Sequence, residues 1–253
     1  DILRIEDGSP NKFKNPQFNN INWINALFSK SIGDLIPGAE KEILLGDTGR
    51  ENSIRWMIYD ALQLPLETAS WAAVYRDTDV VAKMLAGILG ENYQNSFWVT
   101  FEAPPYLIAA LNMLGATYVD FSIHPVRFLP DYYFGVRSNN PTISNRLSEI
   151  AFPESVIYDF ARISTAKTVR SVRREAPKDS IVFLGQMGSD SSLIFDGRMA
   201  SVDDISTSLR NLTVLHDVVY YKAHPHFKGI DSLKEVVLSI PRCQWIDINI
   251  YDA

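Results

Sequence analysis

Apolar residues along this chain follow two alternating rhythms. Between residues 50 and 115 they recur at helical spacing. Ile54, Met57, Ile58, Ala61 and Leu62 predict a helix over Asn52–Leu62. Val80, Val81, Met84, Leu85 and Ile88 predict another over Asp77–Leu89. A short apolar run at Phe97–Phe101 then reads as a strand. Pro104-Pro105 opens a helix to about Leu114, because proline suits the first helical turn, and Gly115 ends it. Thr117–Ile123, rich in β-branched and aromatic residues, reads as the next strand. A long polar helix is expected over roughly Ser144–Arg174, broken near Pro153. Residues 1–40 show little periodicity and read as loop, with one short helix near Trp23–Ser29 and a strand at Lys41–Gly46 to follow.

Beyond the linker-like Ala176–Asp179 a second series begins. It predicts a strand at Ile181–Leu184, a helix at Asp203–Leu215 and a strand at Val218–Tyr221. A helix at Asp231–Ser239 and a strand at Gln244–Ile248 follow. Such alternation predicts α/β architecture with parallel sheets wrapped by helices. The expectation is two Rossmann-like domains, residues 1–175 and 176–253, the second incomplete.

Composition narrows the function classes. The apolar content of 46% supports a real core, and no apolar stretch reaches the length of a membrane span. A net charge of −6 with no long basic run argues against a nucleic-acid partner. One cysteine, Cys243, leaves no internal disulfide or cysteine-rich metal site. A reduced, cytoplasmic setting is expected, although a cysteine-poor periplasmic protein reads the same. The first residues lack both an initiator methionine and signal-peptide character, and the last follow a strand, as in a fragment of a longer protein. Any attachment to the inner membrane is expected to lie in segments outside these residues.

Four clusters carry candidate chemistry. The strand at 181–184 empties into Gly185-Gln186-Met187-Gly188-Ser189-Asp190-Ser191-Ser192. A carboxylate among backbone-exposing glycines can attack an anomeric carbon or act as a base. Asp190 reads equally as the cap of the next helix. The strand at 218–221 empties into Lys222-Ala223-His224-Pro225-His226. Proline fixes the backbone there, and imidazole and ammonium groups suit phosphate oxygens. A surface turn with incidental histidines is the alternative. Glu102 follows the strand at 97–101, where partial burial would suit a general base; it reads equally as an N-capping acid. Arg127, in His124-Pro125-Val126-Arg127-Phe128, can grip a carboxylate or phosphate, or pair structurally with Asp131. Asp77-Thr78-Asp79 resembles a metal-binding Asp-x-Asp but opens an amphipathic helix, so capping explains it. Ligands of open α/β sheets sit beyond the carboxyl ends of strands, where three of these clusters fall.

The segments Gln186–Ser192 and Tyr221–His226 resemble the paired motifs of the capsule-polysaccharide-synthesis superfamily. More narrowly, with Phe101-Glu102-Ala103-Pro104-Pro105 and His124–Phe128, the chain resembles the retaining β-Kdo glycosyltransferases of bacterial capsule and O-antigen assembly, over roughly residues 95 to 250. (Kdo is 3-deoxy-D-manno-oct-2-ulosonic acid.) The resemblance implies a GT-B-like fold, CMP-Kdo as donor, a glycan hydroxyl as acceptor, and retention through a covalent Kdo–carboxylate adduct. It implies further that Asp190 is the nucleophile and Glu102 the general base. His224-Pro225 would grip the donor phosphate beside Lys222 and His226. Gln186 and Ser191, with neighbouring Ser192, would hold the donor sugar. Arg127 is a candidate for the Kdo carboxylate. No metal or other cofactor is expected, since fixed His and Lys donors can stabilise the departing phosphate. Such proteins continue past their last strand into a Ser-rich, Glu-containing loop and helix, and other transferase domains are expected partners in the full-length protein. Two alternatives stay open: an inverting nucleotide-sugar transferase or epimerase, in which Asp190 or Glu102 is only a base, and a non-catalytic glycan-binding domain of an assembly complex.

Overall fold

The computed structural model describes residues 2–5, 26, 50–124, 133–171, 179–188, 190–225, 227 and 230–247. The strand expected at Lys41–Gly46 lies outside them, as does the helix expected at Trp23–Ser29 apart from Ala26. The chain is mixed α/β and divides into two compact units, Asp1–Pro125 with Tyr132–Ala151, and Phe152–Ala253 with Val126–Asp131. This division falls ahead of the long helix, whereas the sequence reading set the boundary behind it, at 175/176.

The first unit begins with α1 (Arg50–Ala61), α2 (Thr68–Val74) and α3 (Thr78–Leu89). They lead to β1 (Phe97–Phe101), α4 (Pro105–Met113), β2 (Thr117–Ile123), β3 (Phe134–Ser138) and α5 (Pro141–Glu149). Pro105 occupies the first turn of α4, and Gly115, with φ +65°, turns the chain after it. Asn140 caps α5, its side-chain oxygen accepting from the backbone N–H groups of Thr142 at 3.0 Å and Ile143 at 3.2 Å.

The buried faces of α1 and α3 are rotated from those the spacing predicts. On α1 the buried residues are Ile54, Arg55, Ile58 and Tyr59, while Met57 and Ala61 face solvent. The reason is polar. Arg55 Nε donates to the Ile2 carbonyl at 3.1 Å, and Tyr59 Oη to the Leu3 carbonyl at 2.8 Å. Thr68 Oγ1 donates to the Ile5 carbonyl at 3.3 Å. Residues 2–5 thus form a strap whose carbonyls are satisfied by side chains, as buried backbone requires. On α3 the buried residues are Val81, Ala82, Leu85 and Leu89, and Val80 is exposed.

The first sheet has the order β1-β2-β3. β1 and β2 are parallel, joined through α4, with Phe97 opposite Thr117 and Phe101 opposite Phe121. The expectation of wholly parallel sheets fails at β3, which runs antiparallel to β2 with Asp120 opposite Arg137. Only residues 124–133 join the two strands, and a parallel return needs a crossover of a dozen residues or more.

The second unit comprises α6 (Glu154–Ser171), β4 (Ser180–Leu184), β5 (Ile194–Phe195), β6 (Arg198–Met199) and α7 (Val202–Leu215). It continues through β7 (Val218–Lys222), α8 (Ile230–Ser239) and β8 (Cys243–Trp245). The long helix expected over 144–174 with a break near Pro153 is two helices, α5 and α6, parted at Ile150–Pro153 because the residue before a proline avoids helical backbone. β4, β7 and β8 form a wholly parallel sheet with β7 in the centre. Val219, Tyr221, Ala223 and Cys243 on one face pack with Leu209 of α7 and Leu233 and Val237 of α8. Val182, Leu184, Tyr220 and Gln244 alternate onto the other face, and none of them is buried. Between β4 and α7, Asp196 (φ +48°) and Gly197 (φ +72°) form a two-residue hairpin turn joining β5 to β6, the conformation that Asp-Gly favours. Among the described residues no helix is long and apolar enough to cross a membrane.

Candidate functional site

Each unit carries acids and bases at the carboxyl ends of its parallel strands. In the first unit, Glu102 directly follows β1. Its backbone is left-handed, φ +49°, where a side chain other than glycine is strained by about 1 kcal/mol or more. Its N–H donates to the Phe121 carbonyl at 2.8 Å, so β2 fixes the turn from one side. The side chain is exposed, which removes the burial expected for it. It does not cap α4 either: Pro104 holds the N-cap position, without a side-chain bond.

The buried acid of this region is Asp120, in the middle of β2 and only 3% exposed. A buried carboxylate needs partners, and this one has three. Its Oδ1 accepts from Thr100 Oγ1 at 2.7 Å and from the Ala103 N–H at 3.0 Å. Its Oδ2 accepts from Arg137 Nε at 2.9 Å. Arg137 Nη2 also donates to the Ala103 carbonyl at 3.2 Å. The residue after Glu102 is therefore held at both its N–H and its C=O. Sequence reasoning passed over this network. The signal was a lone acid in a strand otherwise made of β-branched and aromatic residues, a context depleted in aspartate. Its partner Arg137 is legible only once β3 is placed.

In the second unit the loop after β4 and the turn after β7 leave one edge of the sheet side by side. Leu184 is the register partner of Lys222, and the Gly185 N–H donates to the Lys222 carbonyl at 2.8 Å. Gly185 is required at this crossing. A Cβ there would collide with the Tyr221 hydroxyl, lie 2.9 Å from ring carbon Cζ and stand 3.3 Å from the Lys222 oxygen. The Tyr221 ring cannot swing aside easily, since it lies between Phe183, stacked at 5.6 Å, and Trp245 at 5.3 Å.

Asp190 caps a 3-10 turn, Ser191–Leu193, and its Oδ1 accepts from the Ser192 N–H at 2.8 Å. The local capping geometry weighed from the sequence is thus present. It engages one carboxylate oxygen, and Oδ2 has no partner among the described residues. Asp190 is half-buried, while Gln186, Ser191 and Ser192 are exposed. Lys222 and His224 are half-buried at the neighbouring strand end, Pro225 is exposed, and the His224 carbonyl accepts from the Phe227 N–H at 2.9 Å. His226 and Arg127 lie outside the described residues. His124 is described at the end of β2, its N–H donating to the Tyr133 carbonyl at 2.8 Å. Asp77 takes the N-cap position of α3 without a capping bond and pairs instead with Arg76 at 3.3 Å.

Chemically, the carboxyl end of the second sheet offers a carboxylate with an open oxygen on the loop after β4, and an ammonium and an imidazole at the end of β7. Ammonium and imidazole groups can bind a phosphate, and a carboxylate can act as a nucleophile or base. Among the described residues no three His, Cys, Asp or Glu side chains gather as a metal site would require. No family model matches the chain, and no curated protein or solved structure matches it.

Proposed function

We propose that this chain is a retaining glycosyltransferase that moves β-Kdo from CMP-Kdo to a glycan hydroxyl, on a fold of the GT-B type. The observation that carries the reading is the juxtaposition in the second unit. The two segments that resemble the β-Kdo transferase motifs emerge from adjacent parallel strands, clasped by the bond from Gly185 to Lys222. In this reading Asp190 attacks the anomeric carbon through its open oxygen. The bond from that carbon to the CMP phosphate breaks, and the phosphate departs as an anion. His224 and Lys222 stabilise it, with His226 as a further donor and Gln186, Ser191 and Ser192 around the sugar. Glu102 then takes the proton of the acceptor hydroxyl, which displaces Asp190 and restores the original anomeric configuration. Arg127 is assigned to the donor carboxylate.

The capping bond of Asp190 gives the reading a clean test. Asparagine caps as well as aspartate but cannot form the glycosyl ester. Asp190→Asn is expected to keep the melting temperature and to lower transfer by about a thousandfold or more. Near-normal transfer by this variant would reduce Asp190 to a cap and end the proposal. Product stereochemistry read by NMR separates retention from the inverting alternative. Stabilisation by CMP separates an enzyme from a glycan-binding module, since a ligand of the native state raises its melting temperature.

A further inference from the structure

We infer that Asp120 and Arg137 are positioning residues for Glu102, holding it in a conformation the backbone would not keep unaided. The inference rests on the general-base role proposed for Glu102, but its geometric half stands without that role.

Left-handed backbone also occurs at Gln63, Asn95, Asp179, Asp196 and Arg242. Asparagine and aspartate tolerate it, Gln63 simply closes α1, with the Leu64 N–H returning to the Tyr59 carbonyl at 2.9 Å, and Arg242 lies in the tight turn from α8 into β8. Glutamate has no such tolerance, and Glu102 closes no helix. It joins the end of β1 to the proline-initiated helix α4. The strain persists because the surroundings over-determine the turn. The Phe121 carbonyl fixes the Glu102 N–H, Asp120 Oδ1 fixes the Ala103 N–H, and Arg137 Nη2 fixes the Ala103 carbonyl. Asp120 is held in turn by Thr100 and by Arg137 Nε. These contacts come from β1, β2 and β3, so the whole first sheet sets the turn at Glu102–Ala103. The outcome is an acid presented to solvent at a strand end from a rigid base, rather than an acid folded back as a cap. A buried carboxylate is an expensive way to stabilise a fold, because its desolvation offsets what its partners return. Fixing the direction of an exposed acid gives the pair a reason to be there.

Two thermodynamic cycles test this. In the first, Asp120→Asn, Thr100→Val and Arg137→Lys are each assayed for transfer with Glu102 present and in the Glu102→Gln background. The expected result is a fall in kcat of about ten- to a hundredfold with Glu102 present, KM for CMP-Kdo nearly unchanged, and little further loss when Glu102 is already Gln. Equal losses in both backgrounds would overturn the inference, because the network would then act on something other than Glu102. Thr100→Val and Arg137→Lys keep the bulk of the site and serve if Asp120→Asn fails to fold. The second cycle needs no activity. Glu102→Gly should relieve the left-handed strain and raise the melting temperature by about 2–4 °C. That gain should shrink when Asp120→Asn or Arg137→Lys lets the turn relax. An unchanged or lowered melting temperature for Glu102→Gly would remove the strain on which the inference stands. Absence of any transfer by the wild-type chain with the second cycle as expected would refute the enzyme reading alone.

Discussion

The two units present their candidate acids in opposite ways. Glu102 is set by contacts that reach across a sheet, from residues 17 to 34 positions away from its neighbour Ala103. Asp190 is set by contacts two and three positions away, to Ser192, Leu193 and Met187. The first unit stands over a dense core in which Trp71, Tyr59, Tyr106 and even Arg55 are almost wholly buried. Each large apolar side chain there contributes about 2–3 kcal/mol of burial. The second unit rests on a three-stranded sheet covered on one face, and α7 leaves Val214 and Leu215 exposed at 80% and 74%. A general base must point one way before the acceptor arrives, and a rigid scaffold supplies that. A nucleophile that forms and breaks a bond to a large donor can be carried on a locally held loop that the donor itself completes.

Alkaline pH should break this contrast most severely. Burial pushes the phenols of Tyr59, Tyr75 and Tyr106 well above their ordinary value of 10, all in the first unit. In the second unit Tyr221 is raised by the same cause. A raised folded value means that this stability is complete below pH 10 and is lost as pH rises through the folded values. The first unit should therefore unfold before the second above pH 10, with phenolate absorbance appearing together with loss of helical circular dichroism. Gradual tyrosine ionisation without unfolding would contradict the account of its core.

Arg137→Ala should come next. It leaves the buried Asp120 carboxylate without its counter-charge, a loss of about 2 kcal/mol once the exposure of the guanidinium is discounted, read from urea unfolding of the first unit. A change below about 1 kcal/mol would mean that solvent replaces the guanidinium, which is itself 58% exposed. The smallest effect belongs to Gly185→Ala. Overpacking against Tyr221 should cost about 1–2 kcal/mol and part β4 from β7 at the strand ends. The functional readout is weaker stabilisation by CMP, with the first unit's stability unchanged.

Much of the framework was legible because period and punctuation agreed. β1 and β2 fall on the expected residues, and α7 and α8 start within one residue of expectation. What escaped was decided by distant partners. The face of α1 turns because Arg55 and Tyr59 serve carbonyls of the strap at 2–5, which no helical period encodes. β3 was missed because its Gly135 and Arg137 dilute the apolar pattern, and with it went the antiparallel edge and the Asp120–Arg137 pair. The Asp196-Gly197 hairpin carried its usual signature but joins strands of only two residues each. Of the site, the strand-end positions of Glu102 and Lys222 and the place of Asp190 in the loop after β4 could be read from sequence. The bonds that orient Glu102 could not.

The most direct test of the account is mass spectrometry of the wild-type protein incubated with CMP-Kdo, followed by peptide mapping. The account predicts a covalent Kdo ester on Asp190, enriched in Glu102→Gln, where the acceptor is slow to displace it, and absent from Asp190→Asn. Transfer to product with no adduct, or an adduct that survives in Asp190→Asn, would contradict it.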